Sequence, residues 1–586
     1  MKHLLAFILI LCCYPLQAHK CVVTSPNGKL RVVATDSILE VSYNKSVVQR
    51  IVIDAGMLEY KSHKQYASDS YTMIAGKKNL CANDWYECVL SYTDNIVELR
   101  VYNDGIAFRF RKGESDIAYI VPNGNNRWIP RMTTDYENQY KLATSAVSGN
   151  FSYPALIEYG NNVFGLISEG GLSAGHPASH LKCSSSTCRY QVVTGEIESK
   201  YEVSPWRIVM IGTLSDIVES TLVTDVAEPC ALEDTSWIEP GVSSWIYWAN
   251  NHGSKDFQKV KEYINLAAEM GWKYNLIDWE WNEMRNGGDI YDAIAYANKK
   301  GVKITLWYNS GTSWIGPGAP GPVDRLINRE NREKEFSQLE NLGVSGIKVD
   351  FFKDDSPATI NYYIDILDDA ARHHLLVDFH GCTLPRGWQR TYPNLMSMEA
   401  VYGSEWYNNN SVMTGIAASH NATLPFTRNV VGSMDYTPGT FSDSQHPHIT
   451  TWGHELALTV LFESGIQHMP DTYSTYANMP EDVRSFLSSL PSRWDDIRLL
   501  DGYPGRFVVL ARRFSDVWYI AAINGTDEVM KIPIHIESLG INESAPVILF
   551  KDGDDGQSIV PFKGTIDWNS IECLPRGGLV IVTASK

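Results

Sequence analysis

Apolar and polar residues alternate with a period of two from about Cys21 to about Pro229. Leu30-Arg-Val-Val-Ala, Ile96-Val-Glu-Leu-Arg-Val-Tyr and Ala107-Phe-Arg-Phe-Arg are such runs, and turn residues such as Asn103-Asp-Gly separate them. This predicts half-buried antiparallel strands stacked as a large β-sandwich. At about Thr235 the pattern changes to short apolar runs alternating with helical periodicity. Ser243–Trp248, Tyr274–Trp281, Lys303–Asn309, Gly346–Phe352, Leu375–Gly381, Asn394–Glu399, Ala422–Arg428 and Ile466–Met469 read as eight strands. Between them, Asp256–Met270 carries Val260, Tyr263, Ile264, Ala267 and Ala268 on one helical face, and Ile290–Lys300, Arg332–Leu342 and Ala358–His373 read as further helices. Eight such repeats predict a (β/α)8 barrel. From about Asp495 the chain returns to strands, including Phe507-Val-Val-Leu-Ala-Arg and Gly578-Leu-Val-Ile-Val-Thr. The expected fold is a central (β/α)8 TIM barrel over 235–494, flanked by an N-terminal β-sandwich (19–234) and a small C-terminal β-sandwich (495–586).

The first 18 residues stand apart. Lys2 and His3 precede an apolar run, Leu4 to Tyr14, and Leu16-Gln17-Ala18 offers a cleavage site. The run is too short to span a bilayer, so the expectation is secretion or a periplasmic location after cleavage near Ala18. Eight cysteines remain beyond it, and in an oxidising compartment the close pairs Cys81/Cys88 and Cys183/Cys188 are candidates for local disulfide clips. The net charge of −18 argues against nucleic acid or an anionic membrane as partner. Monomer and small homo-oligomer both stay open.

The candidate chemistry lies between Gly346 and Glu405. Three successive predicted strands deliver acidic or polar residues at their carboxyl ends, Asp350, His380 and Glu399, and the barrel fold places active sites at that end. Lys348 lies two residues before Asp350, on the same side of the strand, and a nearby cation keeps a carboxylate ionised. Glu405, next to Trp406 and Tyr407, is expected to have a raised pKa suited to a general acid. A carboxylate and a carboxylic acid facing each other are the equipment for glycosidic cleavage. Trp307, Trp279 and Trp281 are candidate stacking faces for a sugar, and Asp278 and Glu280, at a strand end, are candidate sugar contacts. Acids in excess of basic partners also suggest a hard cation such as Ca2+, assembled from distant segments because no EF-hand loop is present.

With those residues laid out, the chain resembles glycoside hydrolase family 97 over nearly its whole mature length. The resemblance rests on Lys348-Val-Asp350-Phe-Phe, Phe379-His380-Gly381, Arg390-Thr-Tyr-Pro-Asn394 to Glu399, Pro425-Phe-Thr-Arg428 and Met434-Asp-Tyr-Thr-Pro438, in that order. It implies a β-sandwich, a catalytic barrel, a C-terminal β-domain, a bound calcium ion and exo-acting cleavage of α-linked sugars. Inverting members carry a Glu directly after the His that ends strand five; here that residue is Gly381, and strand four ends in Asp350, which is similar to the retaining α-galactosidase branch. The resemblance then implies Asp350 as nucleophile, Glu405 as acid/base, Glu169, Glu399 and Glu405 as calcium ligands, and Lys348 and His380 as sugar contacts. The implied partners are α-linked galactoside oligosaccharides or glycans. Rival expectations are an α-glucosidase or β-L-arabinopyranosidase of the same fold, and a non-catalytic carbohydrate-binding protein.

Overall fold

In a computed structural model of the chain, residues 20–195, 202–443 and 445–583 are described, so the leader and its cleavage site lie outside them. The N-terminal part is built of an eight-stranded and a ten-stranded antiparallel sheet. The alternation seen in sequence sets the burial. In Leu30–Ala34, Leu30, Val32 and Ala34 are buried while Arg31 is exposed. Two central strands, Val163–Gly170 and Trp206–Gly212, run side by side with Glu169 opposite Arg207.

The barrel has seven hydrogen-bonded parallel strands: Gly241–Trp245, Tyr274–Ile277, Lys303–Asn309, Gly346–Asp350, Leu376–Phe379, Leu395–Met398 and Ile466–Met469. Each is short, apolar and buried. The intervening helices begin and end where their caps dictate. Asp256, Asp289, Asn328 and Ser356 accept backbone N–H groups at four N-termini. Gly271, Gly301 and Gly343 close three of these helices in the left-handed conformation that glycine adopts without penalty.

The expected strand at Ala422–Arg428 is not formed. Leu424–Phe426 and Arg428–Val431 are 3-10 turns, with Pro425 lacking the N–H that a ladder needs. The buried Arg428 guanidinium fills the gap, donating to the carbonyls of Met398, Ala400, Gly432 and Ser433 at 2.8–3.0 Å. Met434 N then donates to Glu463 O at 2.9 Å and Asp435 N to Met398 O at 3.2 Å, so an irregular segment closes the wall. After the barrel, a six-stranded antiparallel sheet has its own apolar core around Val509, Ile520 and Ile581. Among the described residues no helix is long and apolar enough to cross a membrane.

Two expectations need correction. The cysteines do not pair as Cys81/Cys88 or Cys183/Cys188; all eight are free, and Cys88 faces Cys21, with Sγ atoms 3.4 Å apart. The structure does not bring Glu169 to the acidic pocket expected to hold calcium. Its carboxylate is fully buried between two arginines, accepting from Arg207 Nη1 at 2.5 Å and Arg386 Nε at 2.7 Å, with Ser179 supplying N–H and O–H. Burial acts to raise its pKa, but the two guanidinium groups hold it below the usual range. With its charge already matched, it binds the sandwich to the barrel-borne Arg386. Breaking a buried pair strands the remaining charge. Glu169→Ala is therefore expected to cost about 3–5 kcal/mol in chemical unfolding.

Candidate active site

The fourth barrel strand carries the centre of the site. Its alternation turns Lys348 and Asp350 to the same side, and in register Lys348 lies between Trp307 and Asp378 of the neighbouring strands. The Lys348 ammonium is buried, 3.5 Å from Asp278 Oδ2, 3.8 Å from Glu405 Oε1 and 4.6 Å from the centre of the Trp245 ring. Burial works against its charge, but Asp278, Glu405 and Asp350 outweigh it and keep the lysine protonated. Asp350 is held at both oxygens: Phe351 N donates to Oδ1 at 2.7 Å and Trp307 Nε1 to Oδ2 at 3.1 Å. Burial raises the Asp350 pKa, and Lys348 and His380 counter it.

Gly381 follows from that placement. It has φ +47°, and a Cβ there would stand 2.9 Å from Phe351 N and 3.0 Å from Asp350 Oδ1. The space in which a side chain would begin is taken by the Asp350 carboxylate. The Gly381 N–H donates to Glu399 Oε2 at 2.9 Å, so this one residue touches two acids of the site.

His380 lies beneath the mouth. Its Nε2 is 2.6 Å from Asp435 Oδ2, which also meets His468 Nδ1 at 2.7 Å. Its Nδ1 faces Glu399 Oε2 at 3.2 Å and Glu405 Oε2 at 3.5 Å. Burial opposes protonation, but the charge of Glu399 and its neighbours raises the imidazole pKa well above the usual value. The expectation of a raised pKa at Glu405 is overturned. Burial does push it up, but Lys348 and His380 outweigh that and hold it at about 2. Glu399 moves the other way, raised by burial to about 7.

These groups open into a pocket of about 520 Å³ whose walls include Asp278, Trp279, Lys348, Asp350, Glu399 and Glu405. One side comes from the N-terminal domain through Thr134, Asp135 and Glu137, which carried no periodic signal in the sequence. Tyr136, at φ +62°, is the anchor of that loop: its hydroxyl donates to Asp355 and receives Arg386 Nη2 at 2.8 Å. Glu137 is thereby delivered to the pocket, where Trp406 Nε1 donates to Oε2 at 2.5 Å. Burial and then Glu399 raise its pKa well above the usual value.

Three expected sugar contacts lie elsewhere. Glu280 does not line the pocket; its carboxylate pairs with Lys255 at 2.9 Å on the outside. Trp307 is fully buried behind Asp350 and Trp281 is buried with Nε1 on Trp307 O at 2.7 Å, so neither offers a free face. Trp279 does line the pocket, joined by Tyr247, Trp314 and Trp406. Asp435 and His468, which lock His380, were also missed. Asp435 stands in one of the sequence blocks quoted above, but nothing in its spacing discloses a partner 55 positions away.

The donor set suits a hard cation. Ligand atoms of His380, Glu399 and Glu405 lie within 4.8 Å of one another, and Glu137 lines the same pocket. Carboxylate oxygens are what calcium takes, and the raised pKa values of Glu137 and Glu399 show a cluster short of positive charge. A second group, Asp378, His380 and Asp435, lies wholly buried below the first.

Three family profiles match the chain: "Glycosyl-hydrolase 97 N-terminal" over residues 23–229, "Glycoside hydrolase 97" over 237–401, and "Glycosyl-hydrolase 97 C-terminal, oligomerisation" over 493–583. A probable retaining alpha-galactosidase of Streptomyces bingchenggensis is 36% identical over 484 residues, spanning 78% of this chain and 72% of that protein. A retaining alpha-galactosidase of Bacteroides thetaiotaomicron is 28% identical, spanning 78% of this chain and 77% of its own. A crystal structure of a beta-arabinopyranosidase superposes with a TM-score of 0.89 at 29% identity, covering 96% of this chain and all of that one.

The contact between Gly381 and Asp350 can be tested directly. Gly381→Ala forces its Cβ against the Asp350 carboxylate, and since small misplacements of reacting groups are costly, a fall in kcat of about 100-fold is expected. The melting temperature should change by only a few degrees. Unchanged kcat in a folded variant would remove Asp350 from the reacting position.

Proposed function

The chain belongs to glycoside hydrolase family 97, and we propose that this glycosidase is a secreted, exo-acting retaining α-galactosidase. The observation that carries the reading is the pairing of Asp350 at the end of the fourth strand with Gly381 beside it. In this reading Asp350 serves as the nucleophile, and Gly381 has no side chain to hold a water-activating base. The two named retaining alpha-galactosidases support the sugar.

In this reading the terminal galactosyl ring enters the pocket with its anomeric carbon over Asp350. Trp307 Nε1 and Phe351 N aim the carboxylate, and Lys348 stabilises it as an anion. Asp350 attacks the anomeric carbon while Glu405 protonates the departing glycosidic oxygen, which gives a galactosyl–Asp350 ester and the free aglycone. Glu405, now ionised, takes a proton from water, and that oxygen attacks the anomeric carbon and releases Asp350. Two inversions leave the α-configuration. Lys348 and His380 hold the Glu405 pKa low in the resting site, so the acid step needs a proton delivered to Glu405.

Glu137, Glu399 and Glu405 are the residues we assign to a calcium ion. Bound there, it would supply positive charge at the leaving-group side of the pocket.

The reading is tested by proton NMR of an aryl α-galactoside during hydrolysis. α-Galactose is expected before mutarotation; β-galactose first would remove Asp350 as nucleophile. Asp350→Ala should lose turnover and regain part of it with azide, which fits the vacated space. The structural neighbour named as a beta-arabinopyranosidase favours a second substrate. Aryl β-L-arabinopyranosides share the ring stereochemistry and lack only the hydroxymethyl group, and they should be hydrolysed with the same outcome.

The calcium assignment has its own pH signature. A carboxyl whose folded pKa exceeds its unfolded one binds extra proton in the native state, so stability falls as pH rises between the two. For Glu399 that window runs from 4.5 to about 7. Chelator-treated protein should therefore lose melting temperature between pH 5 and pH 8, and calcium should restore more of it at pH 8 than at pH 5. An equal calcium effect at both pH values would count against this cluster as the site.

A further inference from the structure

A second hollow, of about 620 Å³, lies beside the active-site pocket and shares two of its walls, Trp314 and Lys353. It is bounded by the loop around Ile327 and by the first turns of the helix Pro357–Arg372. None of the chemistry above uses it. Resting on the α-galactosidase reading, we propose that this hollow binds the aglycone side of the substrate, as neutral sugar units beyond the scissile bond. In an exo-acting pocket the terminal sugar fills the closed end, so every further unit leaves through the mouth. This hollow adjoins the pocket at Trp314 and Lys353.

Its lining has the chemistry that neutral sugars require. Aromatic faces take the apolar side of a pyranose, and a few fixed polar groups meet its hydroxyls. Trp314 and Tyr362 stand edge to face with ring centres 6.3 Å apart. Both rings are held from behind: Trp314 Nε1 donates to Phe351 O at 2.9 Å, and Tyr362 OH to Ser310 O at 2.9 Å. Trp314 is therefore tied by its own hydrogen bond to the residue after Asp350, so the wall of the hollow and the nucleophile are positioned together. Arg332, the deepest charge, is already matched by Asp369 at 2.6 Å and Asp365 at 3.3 Å. The hollow thus offers no bare buried charge to an ionic ligand. Lys353, at the junction and mostly exposed, pairs with Asp354 at 3.8 Å and can reach a hydroxyl of the leaving sugar.

The test fills the hollow and leaves the reacting groups alone. Ala358 lies exposed on the helix wall, and Ile327, 44% exposed, on the facing loop. Ala358→Trp and Ile327→Trp are each expected to leave kcat/KM for an aryl α-galactoside within twofold of the parent. For an α-galactosyl trisaccharide, kcat/KM should fall at least tenfold, through KM. Two independent variants guard against one that misfolds. If both substrates change in parallel, or neither does, the hollow is not an aglycone site. A parent enzyme that fails on the aryl α-galactoside overturns the sugar assignment and is thereby told apart from failure of the hollow. Calorimetry then decides the hollow without turnover: Asp350→Asn should bind the trisaccharide at least tenfold more tightly than Asp350→Asn carrying Ala358→Trp. Equal affinity, or no binding by either, overturns the proposal.

Discussion

Burying several acids around one ammonium is the constraint on which this molecule is arranged. Asp278, Asp350, Asp378, Glu399, Glu405 and Asp435 converge at the top of the barrel, all but Glu405 nearly free of solvent contact. Lys348 and His380 are the cations at their centre. Such charges are tolerable inside a protein only when paired and hydrogen-bonded. The pairing here is incomplete, and the pKa values record it: Asp435 and Glu405 are held low by their cationic neighbours, while Asp378 and Glu399 are pushed up. A site with more carboxylates than cations is poised to accept positive charge, from a proton, a metal or an oxocarbenium-like transition state. The same imbalance that costs stability serves glycosidic cleavage.

The barrel wall gives way at the point where this charge is supported. A regular strand between the sixth and last strands would carry only backbone donors. The Arg428 guanidinium gathers carbonyls from Met398 to Ser433 in a plane, and the segment it holds is free to leave strand geometry. Asp435 then turns inward to meet His380 and His468 together. The irregularity that sequence periodicity reads as a strand is what permits two imidazoles to share one carboxylate.

What the sequence disclosed and what it hid follow from the range of the interactions. Lys348, Asp350, His380 and Glu399 were legible because strand alternation and strand ends are local properties, and a barrel converts them into position. The spacing of caps and glycines likewise marked the helices. Glu137 and Glu169 show the limit. Glu169, at the end of a strong strand, had the better local signal, yet two arginines distant in sequence neutralise it. Glu137, in a loop without pattern, reaches the pocket because Tyr136 docks on Arg386. The low pKa of Glu405 escapes the sequence for the same reason. Its aromatic neighbours are adjacent in sequence, but the charges that decide its proton, Lys348 and His380, are not.

The placements of Glu137 and Glu169 share one cause, and it explains why a sandwich accompanies the barrel. Arg386 projects from the segment after the fifth strand and is gripped by Glu169, while its Nη2 donates to the Tyr136 hydroxyl. The residue taken for a ligand is thus the support of the loop that carries the real candidate. A barrel alone would hold Glu399 and Glu405 but lack Glu137, and with it the third carboxylate of the cluster. Because the arginine is buried, shifting the sandwich would strand its charge at a cost of several kcal/mol. The domain contact is therefore rigid for electrostatic reasons, and that rigidity sets the position of a group in the active site.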